Sequence, residues 1–76
     1  MKMYVVKQED EIRVFSTFEN AQSYIFDILS FEGLVLRDCE KKVNEDIFAN
    51  VTWRYTVHEV EWFEIYLYEI EVDPTF

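Results

Sequence analysis

Residues 51–72 read VTWRYTVHEVEWFEIYLYEIEV. This stretch holds both tryptophans and three of the five tyrosines, and it contains neither Gly nor Pro. Its density of β-branched and aromatic residues is a strand composition. Alternate residues of a strand share a face. From Trp62 onward, one face carries Trp62, Tyr66, Tyr68, Ile70 and Val72. The other carries Phe63, Ile65 and Leu67, then Glu69, Glu71 and Asp73. The middle is therefore apolar on both sides, and such a strand needs two covers. A helix supplies one. The second must come from another part of the chain or from a partner. The stretch exceeds one ordinary strand of roughly 3–10 residues. Two strands are expected, 51–57 and 61–72, joined near His58-Glu59. That joint lacks Gly and Asn, which disfavours a tight primed turn. A bend or bulge within one longer ribbon is the alternative.

Working outward, residues 1–7 read as a strand, with Met3 and Val5 on one face and Tyr4 and Val6 on the other. Gln8-Glu9-Asp10 interrupts it. Residues 11–15 resume it, with Ile12 and Val14 opposite Arg13 and Phe15. Two short strands around a few polar residues make a hairpin. Ser16-Thr17-Phe18-Glu19 fits a capping box, with Ser16 as N-cap and Glu19 reaching back. A helix is expected to about Phe31, with Phe18, Ala21, Ile25, Ile28 and Leu29 on one stripe. Gly33, the only glycine, closes it in the left-handed conformation. Tyr24, Phe26 and Phe31 lie off the stripe, where they either pack laterally or stay exposed. Residues 34–36 suit a short strand. In residues 37–50, Cys39, Val43 and Ile47 recur every four residues, which points to a second, partial helix. The polar content there, including Glu45 and Asp46, equally fits a loop. Pro74 ends the last strand. The order of elements gives an α+β class, with an antiparallel sheet built from a β-hairpin and long C-terminal strands and a helix packed on one face.

Tyr4-Val5-Val6, Val14-Phe15-Ser16-Thr17, the helical Glu19, Ala21 and Tyr24-Ile25, and the closing residues 68–73, YEIEVD, form a recurring layout. It resembles a group of small bacterial and phage domains. In these a hairpin ends in V-F-S-S/T, a helix carries E-x-A-x-x-Y-I, and a final strand ends near an acidic residue. The resemblance covers the first third of the chain and its last few residues. It implies a phage-encoded, cytoplasmic, non-enzymatic protein, and it brings no catalytic residues with it.

Seventy-six residues make a single domain, 1–76. A chain this short buries only about 60% of the surface it exposes unfolded. Yet half its residues are apolar, and seven Phe, two Trp and five Tyr are present. Either an aromatic-rich core has tyrosine rims reaching water, or an aromatic patch meets a partner or a second copy. The charge of −9, from 7 basic and 16 acidic residues, opposes direct nucleic-acid binding, which relies on Lys and Arg to neutralise phosphates. It also opposes anionic membranes, and it suits a partner with a basic surface. A single cysteine, Cys39, excludes an internal disulfide and zinc-type spacing. A reducing cytoplasm is expected, without signal peptide or bilayer span.

No enzyme is expected. One glycine cannot make a phosphate-cradling loop. His58 is the lone histidine, and a lone turn histidine is usually a surface residue. Nothing in their spacing pairs Cys39 with His58, and free cysteine usually packs as a small apolar group. Glu59, Glu61 and Glu64 beside His58 show no calcium-loop spacing. No cofactor or metal is expected.

After Arg54 there is no Lys or Arg, against Glu59, Glu61, Glu64, Glu69, Glu71 and Asp73. Carboxylates two apart on a strand stand about 6.6–6.8 Å from each other, which is of the order of the phosphate spacing in a nucleic-acid strand. The sequence thus suggests a non-enzymatic acidic binding protein, an inhibitor of a host or anti-phage defence protein, acting by nucleic-acid mimicry. Trp53, Trp62, Tyr66 and Tyr68 would be the anchors and the carboxylates the steering charge. Two alternatives stand beside this. The acidic residues guard an exposed edge against aggregation, or the chain is a homo-oligomeric module whose aromatic face joins identical subunits.

Overall fold

The computed structural model describes residues 1–44 and 47–72. Glu45, Asp46, Asp73 and Pro74, which figured in the sequence reading, lie outside the described residues. The chain runs β1 (Lys2–Gln8), β2 (Glu11–Phe15), α1 (Phe18–Glu32), β3 (Leu36–Val43), β4 (Val51–Val57) and β5 (Glu64–Glu71). The strands form one sheet in the order β2-β1-β5-β4-β3, with every neighbouring pair antiparallel. Five antiparallel strands and one helix make an α+β domain.

The β1–β2 hairpin turns through Glu9 and Asp10, between the opposed Gln8 and Glu11. Glu9 takes a φ of 52° there, a conformation that glycine adopts most cheaply. The helix begins one residue later than the capping box predicts. Thr17, not Ser16, is the N-cap, and its Oγ1 accepts from the Asn20 backbone N–H at 3.2 Å. Either hydroxyl could serve chemically. The choice falls to Thr17 because the extended backbone continues through it, at φ −132° and ψ 152°. The helix ends as its glycine requires. Gly33 has φ 67°, its N–H donates to Ser30, and that of Leu34 donates back to Leu29 at 2.8 Å, closing a six-to-one cap.

The partial helix expected within residues 37–50 is not formed. Residues Leu36–Val43 are the edge strand β3, paired along its length with β4. The reason is arithmetic. A spacing of four is a multiple of two as well as nearly one helical turn, so Cys39 and Val43 share a face in either structure. A register shift between Leu36 and Asp38 inserts one extra residue, which puts Leu36 and Cys39 on the same face despite their odd separation. The resulting 36-39-43 pattern imitates a helix. The exposed charges of β3, including Arg37, Asp38 and Lys42, suit an edge strand that must not recruit another.

The final stretch divides at the expected place. β4 ends at Val57, and β5 starts at Glu64 rather than at Glu61. The connection bends at Glu59, φ 71°, and through the bond from the Phe63 N–H to the Val60 carbonyl.

Ala21, Ile25 and Leu29 of α1 form one buried cluster with Val6, Tyr55, Val57, Phe63, Ile65 and Leu67. The register places the strand members of that cluster on a single face. Ile65 and Leu67 are fully buried, so the odd-numbered side of β5 is the core side. Phe18 extends the cluster through its ring contacts with Trp53 and Tyr4, and Tyr24 leans on Phe15. Phe26 and Phe31 remain exposed. The helix also carries the chain from edge strand β2 to edge strand β3. Fifteen residues span about 22 Å, which matches the roughly 19 Å across five strands.

Candidate protein-interaction surface

The residues that alternate with the core side form the opposite face of the sheet. In spatial order they are Ile12 and Val14 of β2, then Met3, Val5 and Lys7 of β1, then Glu64, Tyr66, Tyr68 and Ile70 of β5. Thr52, Arg54 and Thr56 of β4 follow, and Asp38, Glu40 and Lys42 of β3 complete the row. The helix packs on the other side, so its apolar residues leave these uncovered. Ile12 is 61% exposed and Val14 56%. Phe48 and Ala49, from the β3–β4 connection, line a groove of about 330 Å³ with Val5, Lys7, Tyr68 and Ile70. A second groove of about 320 Å³ continues toward the β4–β5 connection, where Trp62 and Tyr66 line it. Lys7 and Tyr68 border both grooves.

The face has two halves and a seam. The β2-β1-β5 half is mostly apolar. The β4-β3 half is a linked set of charges. Lys42 Nζ lies 3.7 Å from Glu40, Arg54 Nη2 bonds Glu40 at 3.1 Å, and Arg54 Nη1 lies 3.7 Å from Glu64. At the seam the Tyr66 hydroxyl donates to Glu64 at 2.6 Å. This bond, followed by burial, raises the Tyr66 phenol above its ordinary value. The Tyr66 ring stacks on that of Tyr68, with centroids 6.0 Å apart and planes 12° from parallel.

Of the residues singled out from sequence, Trp62, Glu64, Tyr66 and Tyr68 come together on this face or at its end. Trp62 is 75% exposed. Trp53 does not join them. It sits on the helix side, against Phe18 at 4.8 Å and under the Lys41 ammonium at 5.8 Å, where it packs the core edge. Glu69 and Glu71 also lie on the helix side. Glu69 accepts from the Tyr4 hydroxyl at 3.0 Å and lies 3.9 Å from Lys2, while Glu71 pairs with the N-terminal ammonium at 3.1 Å. Burial and then Glu69 raise the Tyr4 phenol. Glu59 and Glu61 fall in the β4–β5 connection rather than on a strand, so strand spacing does not govern their separation. Asp73 lies outside the described residues. Met3, Val5, Ile12 and Val14 were not among the expected contact residues. Their signal was the two-sided apolar alternation of residues 3–6 and 12–15, the same sign that marked β5.

Among the described residues, no group of three His, Cys, Asp or Glu side chains is placed to share a metal ion. His58 is exposed. Burial pushes the Cys39 thiol up, the reverse of an activated nucleophile. Cys39 stands opposite Tyr55, whose own phenol is pushed up by burial and then by the neighbouring Cys39. Among the described residues, no helix is long and apolar enough to cross a membrane.

The fold is a small α+β domain, a five-stranded antiparallel sheet with one helix among the described residues. No protein family matches the chain, and comparisons with curated proteins and with solved structures find no match.

Proposed function

We propose that the chain is a non-enzymatic, acidic binding protein whose contact surface is the sheet face turned away from the helix. The carrying observation is the apolar half of that face. Ile12 and Val14 stand more than half exposed beside Val5, Ile70 and the stacked tyrosines. A contiguous apolar patch bordered by polar groups is the usual form of a protein-binding surface. Trp62, Tyr66 and Tyr68 are the natural anchors, being large, rigid and amphipathic. The charge of −9 supplies long-range steering and solubility. In this reading the protein is a phage-derived inhibitor of a host or anti-phage defence protein, working in the host cytoplasm. Phosphate-like strand spacing does not support nucleic-acid mimicry here, because Glu59 and Glu61 lie off the strands and Glu64, Glu69 and Glu71 each have a cationic neighbour within the chain, so the apolar anchors carry the contact.

The test is a tagged pull-down from bacterial lysate, washed at about 0.1 M and then about 0.5 M salt, beside sedimentation of the pure protein. Tyr68→Ala with Trp62→Ala is expected to remove association while leaving circular dichroism unchanged. Association at wild-type level in that variant would refute the face as the contact surface, and so would a wild-type chain that neither self-associates nor retains a partner.

A further inference from the structure

Resting on that face as the contact surface, but replacing a host protein as what meets it, we infer that its occupant is a second copy of the same chain. Two sheets would stack apolar half to apolar half across a two-fold axis.

Charge decides between a copy and a basic partner. Among the described residues, the register puts Lys7, Lys42 and Arg54 on this face, against Asp38, Glu40 and Glu64. Three cations balance three anions, so the chain's charge of −9 is carried by the rest of the sequence. Glu9 borders the groove beside Trp62, while exposed acids crowd the turns and the helix instead, at Asp10, Glu19, Asp27, Glu32, Glu59 and Glu61. A basic partner would find its counter-charge there and not on the bare face. Two copies of so acidic a chain repel each other in most orientations. Back-to-back stacking is the arrangement that points both acidic surfaces outward.

Symmetry strengthens the fit. A two-fold interface must complement itself. An axis through the β2-β1-β5 half lays the Val5, Val14 and Tyr68 patch of one copy on the same patch of the other, with Phe48 and Ala49 alongside, Lys7 next to it and the sheets about 10 Å apart. The β4-β3 charges then fall at the rim. They need nothing from the partner, because Glu40, Arg54 and Glu64 already satisfy one another. An apolar centre with a polar rim is the ordinary anatomy of an interface between subunits.

Sedimentation equilibrium from about 10 to about 200 µM tests this. The expected result is a species of twice the 9.3 kDa chain mass. Val14→Lys, alone or with Ile12→Lys, buries unpaired charge at the contact and is expected to weaken dimerisation about tenfold or more. Both positions are exposed in the single chain, so circular dichroism should not change. Phe31→Lys, on the exposed helix flank, should leave the dimer intact. Raising salt from about 0.05 to about 0.5 M should hold or tighten the dimer, since it screens repulsion between acidic chains. A wild-type monomer throughout, an unaffected Val14→Lys dimer, or a dimer dissociated by salt would each overturn the inference. A monomer that still binds another protein through Tyr68 would overturn it while sparing the broader reading. A monomer that binds nothing would remove both.

Discussion

The Tyr66 hydroxyl donates to Glu64 at 2.6 Å, whereas the Tyr55 hydroxyl, one strand away on the opposite face, is buried without a hydrogen-bond partner among the described residues. Tyr55 has the Cys39 thiol and the Gln22 side chain as polar neighbours but meets neither with hydrogen-bond geometry. The two tyrosines should therefore respond oppositely to loss of the hydroxyl. Tyr66→Phe is expected to cost about 1 kcal/mol, the net worth of one hydrogen bond to a charged group at a half-buried site. Tyr55→Phe should be neutral or stabilising by up to about 1 kcal/mol, because it removes an unsatisfied buried oxygen. Urea unfolding of both variants checks this. A destabilised Tyr55→Phe would show that the hydroxyl has a partner in solution.

The helix cap gives a cleaner contrast. Thr17 holds the Asn20 N–H, so Thr17→Ala should lower stability by about 1 kcal/mol. Ser16→Ala should change it by less than about 0.5 kcal/mol. Thermal melts of the two single variants decide which hydroxyl caps the helix. Equal losses would mean that the caps exchange.

Backbone strain makes a third pair. Gly33 sits at φ 67°, and an added Cβ would meet nothing within 4 Å. Gly33→Ala should then cost only the left-handed backbone penalty, about 1 kcal/mol. Glu9 already bears such a penalty at φ 52°, so Glu9→Gly should stabilise by up to about 1 kcal/mol. A loss of stability in Glu9→Gly would show that the Glu9 side chain contributes more than its backbone costs.

Stability should fall in alkali. Tyr4, Tyr55 and Tyr66 are all raised above the ordinary 10.0, and Cys39 above 9.0, with burial the leading cause in all but Tyr66. The folded chain thus keeps protons that the unfolded chain has lost. A state holding more protons loses ground as pH rises. Stability is expected to be insensitive to these groups below about pH 9 and to drop as pH climbs through about 10 and beyond. Tyr55→Phe should shrink the drop. Urea midpoints at about pH 7, 9 and 10.5 measure it, and a midpoint that rises over that range would reverse the sign.

Much of this architecture is legible in residue order. Gly33 marks the helix end because no other residue type takes that conformation as cheaply, and the stripe from Ala21 to Leu29 marks the buried side. The alternation of β5 can be read too, but not which of its faces meets the helix, which the burial of Ile65 and Leu67 decides. What hides is what spacing cannot separate. Cys39 and Val43 lie four residues apart, which suits a strand face as well as a helix, and nothing local announces which. The candidate surface divides in the same way. Trp62, Tyr66 and Tyr68 stand out by residue type. Trp53 looks the same in sequence, yet its register opposite Leu67 sends it to the other side. Val14 and Ile12 draw no notice as single residues, because only the strand order brings them beside Val5 and Tyr68.

β5 lies between β1 and β4, so the sheet is two hairpins until its last strand arrives. β1 pairs with β2 and β3 with β4 through short local loops, but the two hairpins share no strand boundary of their own. Joining β1 to β5 brings Met1 to the carbonyl of Val72, across 71 positions of sequence. Such distant pairings come late and slowly, since the chain entropy is lost before the contact rewards it. Loss of β5 would therefore split this molecule along its midline, rather than trim it at an edge.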